Sequence, residues 1–214
     1  MQVSSERRSN PERTAEMRRR LLAAARSLFV ERGYADTGTP EIVSAAGVTR
    51  GALYHHFADK QALFRALVED EAAAVAAEIE AAAGDGLTAT NGGQGEAMRR
   101  LLCGARAYLD AMAVLGRTRL LLVEAPAVLG AAAVRAIDGG HAERTLREGL
   151  GEAMSAGELQ TLPLPALTSL LSALFDRAAL DAAASANTEE LMAVIEAMLV
   201  GLARPPSPAP ATQG

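Results

Sequence analysis

Between Thr39 and Phe57 the chain carries two very short apolar-faced segments separated by a glycine, and this arrangement constrains the fold more than any other feature. Thr39-Pro40-Glu41 reads as a helix start: a capping hydroxyl, proline in the first turn, and an acid near the positive helix end. Ile42, Val43, Ala45 and Ala46 supply an apolar face, and Gly47 ends the segment. Val48 and Thr49 bridge to a second segment, Arg50 to Phe57. Two helices joined this tightly must pack closely, so small residues are needed near the turn; Ala45, Ala46 and Gly47 provide them. Val48, Leu53 and Phe57 would anchor the second helix.

The other face of that helix is polar. Thr49, Arg50, Tyr54 and His55 offer hydrogen-bonding groups, while Gly51 and Ala52 let a backbone approach closely. Such a helix fits the major groove of DNA, with Arg50 placed for a bidentate contact to guanine. Tyr54, His55 and Lys60 are expected at phosphates, and the helix starts at Thr39 and Thr49 present backbone N–H groups to phosphate oxygens.

The rest of the chain predicts an all-α fold. Half the residues are apolar but only 3% are aromatic and none is Trp, so the core must come from Ala, Leu, Val and Met. A first helix is expected from about Pro11 to Arg32-Gly33, with Met17, Leu21, Ala25, Leu28 and Phe29 on one face. Asp59 caps a long helix to about Ala83, with Leu63, Leu67, Val75 and Ile79 inward. Residues 84–95 are glycine-rich and polar, hence a loop. Further helices are expected at 96–114, 117–124, 126–156 with an interruption near Gly139-Gly140, 164–185 and 188–203. The organisation is thus a flexible basic arm (1–11), a first domain (12–75, two-helix motif about 38–57), a second helical domain (76–204) and a disordered proline-rich tail (205–214).

Net charge is -5, but it is unevenly spread. Residues 1–65 hold eleven Lys and Arg against seven Asp and Glu, a net of +4, and the remainder is net -9. A basic front on an acidic body suits a chain that meets phosphates at one end. A lone cysteine, Cys103, excludes an internal disulfide, and no signal peptide or long apolar run is present, so a cytoplasmic location without membrane contact is expected. No nucleophile elbow, phosphate loop or HExxH occurs, so neither enzyme activity nor a cofactor is expected. His55 and His56 are adjacent on a helix and point about 100° apart, which argues against a shared metal. Asp138, His141 and Glu143 read as surface. Arg99, Arg100 and Arg106 suit either an acidic-ligand pocket or solvent.

Arg32-Gly33-Tyr34, followed by PEIVSAAGVTRGALYHHFADKQALF at 40–64, resembles the N-terminal domain of the tetracycline-repressor-type (TetR) family of bacterial regulators. The likeness runs without gaps over about residues 15–75. It implies that Thr39, Thr49, Arg50, Gly51, Tyr54, His55 and Lys60 stand where family members touch DNA. The family usually has Thr or Ser where this chain has Gly38, so Thr39 is expected to cap the second helix instead. Residues 123–130 are similar to a regulatory-domain segment of some members. The resemblance implies an effector pocket, its lining unknown, and a homodimer built from the last two long helices. Leu167, Leu170, Leu171, Leu174 and Ala178, with Leu191, Ile195, Met198 and Leu202, line one face of each and fit that interface. The expected function is a repressor released from a pseudo-palindromic operator by an unidentified small molecule. The alternative is a helical small-molecule-binding protein or enzyme with a vestigial DNA-binding domain, and an activator is not separable from a repressor by sequence.

Overall fold

The computed structural model describes residues 10–85, 95–185 and 187–203. Ten α-helices are found among them: α1 (Asn10–Arg32), α2 (Thr39–Ala46), α3 (Arg50–His56), α4 (Lys60–Asp85), α5 (Glu96–Met112), α6 (Ala125–Leu129), α7 (Ala131–Asp138), α8 (Ala142–Ser155), α9 (Leu164–Ser185) and α10 (Thr188–Gly201). A π-helical turn, Arg119–Glu124, leads into α6. The described residues form no β-strand beyond one isolated bridge, Leu159 with Ala203, so the all-α expectation holds. No helix among them is long and apolar enough to cross a membrane. Asn10 and Pro11, expected in the arm, already belong to α1; residues 1–9, the 205–214 tail and most of the 84–95 loop lie outside the described residues.

The chain forms two compact units that do not divide at a single point. The first combines residues up to Glu71 with Leu115–Arg135; the second combines Ala72–Val114 with residues from Ala136 onward. In the first unit, α1 turns the predicted face inward, burying Leu21, Ala25 and Phe29. Ile42 of α2, Leu53 of α3, Phe57 and Leu63 and Phe64 of α4 complete the core. Phe29 meets Phe64 edge-on with ring centres 5.3 Å apart, and Tyr34 closes the cluster 4.9 Å from Phe64. Each large side chain so buried contributes roughly 1.5–3 kcal/mol, more than these short helices could supply by propensity.

Segment 115–135 is bound to this unit by charge as well as packing. The Glu71 carboxylate accepts hydrogen bonds from Arg26 Nε (2.6 Å) and Arg117 Nε (2.8 Å) and is buried with Arg117. Glu124 accepts the Tyr34 backbone N–H at 3.1 Å and pairs with Arg119 at 2.9 Å. The continuous stretch expected over 126–156 is broken twice, near Gly139-Gly140 as foreseen and again at Gly130. Gly130 separates α6 from α7 at φ 84, a conformation L side chains rarely adopt.

In the second unit α5 packs against α8, α9 and α10. Its buried residues Met98, Leu101, Ala105, Tyr108, Leu109 and Met112 recur at helical spacing. Glu158 caps its start, its carboxylate accepting the Met98 N–H at 2.8 Å and the Ala97 N–H at 3.3 Å. Cys103 is half-buried and free.

Burial acts to raise the Glu71 carboxyl, but the hydrogen bonds and charges of Arg26 and Arg117 outweigh it and hold it below its ordinary value. A carboxyl depressed on folding stabilises above its unfolded value of 4.5, and that contribution is lost as pH falls through the lower folded value. Glu71→Ala should therefore lower stability by about 3 kcal/mol, because it strips a carboxylate from the buried Arg117. Urea unfolding at neutral pH checks this, and an unchanged midpoint would refute the network's role.

Candidate functional site

The turn between α2 and α3 is built from the backbone outward. Gly47 takes φ 62 after α2, and the Gly47 and Val48 N–H groups bond back to Ser44 O and Val43 O. Arg20 on α1 reaches across to the same place, its Nη2 donating to Ala46 O at 2.6 Å and Gly47 O at 3.2 Å. A guanidinium at a helix C-terminus satisfies carbonyls that the helix itself leaves open. At the other end of α2 the cap is Gly38, not Thr39 as expected. Glycine has no capping side chain, so Glu41 reaches back and its carboxylate accepts the Gly38 N–H at 2.7 Å. Thr39 becomes the first helical residue. Thr37 is buried, donating its hydroxyl to Gly33 O at 2.8 Å.

Helix α3 is only seven residues long and is held by its inner face. Leu53 and Phe57 are buried, Val48 is half-buried, and Arg18 lies over the Phe57 ring at 5.0 Å. The Thr49 hydroxyl caps the helix, accepting the Ala52 N–H at 3.2 Å. The outer face carries Thr49, Arg50, Gly51, Tyr54 and His55, all exposed, with Ala52 half-exposed beside them. Ala45 on α2 is also exposed, so Ala46 alone provides the buried small contact there.

Three of the expected contact residues converge. The Arg50 guanidinium lies 5.5 Å from the Tyr54 ring centre, and hydrogen bonds to the side chains of Thr39 and then Arg50 lower the Tyr54 hydroxyl below its ordinary range. His56 is pushed down by burial first, then by His55 and Arg18, as befits a cationic neighbourhood. Lys60 is placed differently: its Nζ donates to Tyr34 O (2.9 Å) and Thr37 O (3.0 Å) and sits 4.0 Å from the Tyr34 ring centre. Two of its three donors thus brace the loop before α2, leaving one for an outside acceptor. Neither this brace nor the Arg20 clamp was foreseen, because both end on backbone carbonyls that leave no trace in residue identity.

The second unit encloses a cavity of about 410 Å3 bounded by α4, α5, α7, α8, α9 and α10. Its apolar lining includes Ile79, Leu101 and Phe175, and Tyr108 stands beside Phe175 with ring centres 5.7 Å apart. Tyr108 donates its hydroxyl to Asp176 Oδ1 at 2.6 Å, and burial with that charge pushes its own titration far up. Of the three arginines left open by the sequence, Arg100 lines the cavity and pairs with Glu152 at 3.1 Å, while Arg106 pairs with Glu189 at 2.6 Å; Arg99 is not a lining residue. Asp138 and Glu143 also line it, so they are not surface as expected; His141 beside them is not in the lining.

The expected dimer stripe divides between inside and outside. Leu171, Ala178 and Ile195 are buried within the protomer, and Leu167, Leu174, Leu191 and Leu202 are half-buried. Leu170 (71% exposed) and Met198 (47%) face outward, joined by Val194 (60%), which the sequence did not single out. Helices α9 and α10 are apolar on most faces, so their spacing alone does not mark the inner one.

Comparison with known proteins gives a consistent result. Residues 21–67 match the family described as bacterial regulatory proteins of the tetR family, and residues 98–204 match a tetracyclin repressor-like C-terminal domain. The transcriptional repressor AcnR of Corynebacterium efficiens is 40% identical over 62 residues, 29% of this chain and 33% of that protein. The match thus spans about a third of the length of such relatives. The crystal structure of a TetR-family transcriptional regulator from Pectobacterium atrosepticum is 31% identical, covering 94% of this chain and all of that one (100%), with a TM-score of 0.71. RolR, solved in complex with resorcinol, shares the fold at 18% identity and a TM-score of 0.65 over 91% of this chain and 90% of its own.

Removing the Lys60 brace should loosen the loop that feeds α2. Lys60→Ala is expected to cost about 1.5–3 kcal/mol of stability, as for hydrogen bonds from a charged donor. Equal urea midpoints for the variant and the parent would contradict the brace.

Proposed function

The chain belongs to the tetR family of bacterial regulatory proteins, and from that premise we propose that it is a dimeric cytoplasmic repressor released from its operator by a small molecule. That it is a DNA-binding transcriptional regulator of a non-enzymatic family follows from membership itself. This counts against the enzyme half of the rival reading, a helical small-molecule-binding protein or enzyme with a vestigial DNA-binding domain. The observation that carries the rest is the split character of α3: Leu53 is buried in its own domain, while Thr49, Arg50, Gly51, Tyr54 and His55 are exposed together.

In this reading α3 enters the major groove and Arg50 reads a base. Thr39, Tyr54, His55 and the remaining donor of Lys60 take phosphates, and Gly51 and Ala52 permit close approach. Two copies pair through the outward apolar residues of α9 and α10, Leu170, Val194 and Met198. A two-fold dimer then reads a pseudo-palindrome with half-sites about one helical turn apart. Repression is supported by AcnR, a transcriptional repressor of which the DNA-binding third is alike. Release by a ligand is supported by the cavity, whose size falls in the range of about 300–1,000 Å3 usual for small-molecule sites, and by the resorcinol held by RolR. The effector would favour a dimer geometry that misfits the half-site spacing, so release follows from unequal affinity for two states.

Arg50→Ala should cost about 1–3 kcal/mol on a specific site and relax preference at one base pair, with little change on random DNA. Fluorescence anisotropy with the DNA flanking the protein's own coding region measures both. Equal losses on specific and random duplexes would overturn the base-reading role.

A further inference from the structure

The cavity of the second unit is strongly acidic. Among the described residues six carboxylates and two guanidiniums line it, and both guanidiniums are already paired with acids. Arg144 pairs with Glu80 (2.6 Å) and Glu148 (3.0 Å), and Arg100 with Glu152. Three acids remain: Asp138, Glu143 and Asp176, and none has a cationic partner among the described residues.

The polar contacts of the two aspartates leave them under-satisfied. Among the described residues Asp138 accepts only the Glu143 N–H and the Ser172 hydroxyl, both at 3.4 Å, and Asp176 accepts the Tyr108 hydroxyl. Beside them Phe175 and Tyr108 supply aromatic surface, and Ile79 and Leu101 supply aliphatic wall. The Nε of Arg100 is also buried in the lining without a hydrogen-bond partner among the described residues, a donor that the charged end of a cation does not satisfy.

We infer that this cavity takes an organic cation, an ammonium or amidinium on an apolar skeleton, with its charge toward Asp138 and Asp176 and its body against Phe175, Leu101 and Ile79. The inference rests on the reading of the cavity as the effector site. An anion would meet three uncompensated carboxylates. A neutral apolar molecule would strip water from them and return no counter-charge. A cation supplies the counter-charge that these acids lack, beside the aromatic Phe175 and Tyr108.

The occupant should also be sensitive to pH. Burial, and next the Asp176 charge, push Asp138 up to about 6, with Glu143 adding to the effect and the Glu143 N–H and Ser172 hydroxyl opposing it. Asp176 is raised by burial first and by Glu143, against the Tyr108 hydroxyl. The other charged groups in the walls, Arg144 with Glu80 and Glu148 and Arg100 with Glu152, are already paired. A cation prefers ionised Asp138, so its affinity is full above pH 6 and falls as pH drops through that value.

The test uses the full-length protein and two probes of nearly the same shape, benzyltrimethylammonium and its uncharged carbon analogue neopentylbenzene, with phenylacetate as an anionic control. Calorimetry at pH 7.5 should show the cation binding at least about tenfold more tightly than either of the others. Asp138→Asn and Asp176→Asn should each weaken cation binding by about tenfold, whereas Asp110→Asn, on an exposed position of α5, should not. Equal or better binding of the neutral or anionic probe, or no binding of any probe to the parent protein, would overturn the inference whether or not the variants fold. Anisotropy on operator DNA with saturating cation tests the underlying reading separately. Tight, Asp138-dependent binding that leaves DNA affinity unchanged would keep the cation site and remove the effector role.

Discussion

The burial of Leu53 and Phe57 against α1 is the contact on which the DNA-facing surface depends. A seven-residue helix is far below the length that is stable alone in water. It exists because its inner side chains complete a core that already contains Phe29, Ile42 and Phe64, and because Thr49 ties down its first turn. Once that inner face is fixed, helical geometry determines which residues point away. Arg50, Tyr54 and His55 are outward because Leu53 is inward.

The same core explains why so many polar contacts end on backbone. Arg20 clamps the carbonyls closing α2, Glu41 holds the N–H that opens it, and Lys60 gathers the carbonyls of Tyr34 and Thr37. These bonds fix the path of the loops flanking α2 and the turn into α3. Specific reading of base edges needs donors placed to a fraction of an ångström, and a small domain achieves this by pinning its loops. The Glu71 pairing with Arg26 and Arg117 extends the same logic to segment 115–135.

Much of this was legible in the sequence where one periodicity and one punctuation mark agreed. Leu21, Ala25 and Phe29 marked the inner face of α1, and Gly47 marked the turn. Where apolar residues surround a helix, spacing stops discriminating: Leu171 and Ala178 share α9 with the outward Leu170, and all three suit the same stripe. The cap at Gly38 was missed because its polar partner, Glu41, lies three residues on. The acids of the cavity were missed for a different reason. Asp138 and Asp176 lie far apart in the chain, and only the fold, which sets Asp138 at the end of α7 against Ser172 of α9, brings them to one wall. Asp176 did carry a signal, the first carboxylate after the uncharged run from Leu164 to Phe175 in α9, where a charge needs a purpose.

The two units thus present opposite chemistry: exposed donors on α3 in the first, unneutralised carboxylates around a cavity in the second. The central claim concerns the first. Selection of duplexes from a randomised pool by the purified full-length protein, at moderate ionic strength, tests it directly. The account predicts enrichment of a two-fold symmetric sequence whose half-sites lie about one helical turn apart. A pool that emerges with no sequence preference, though the protein remains folded, would contradict it.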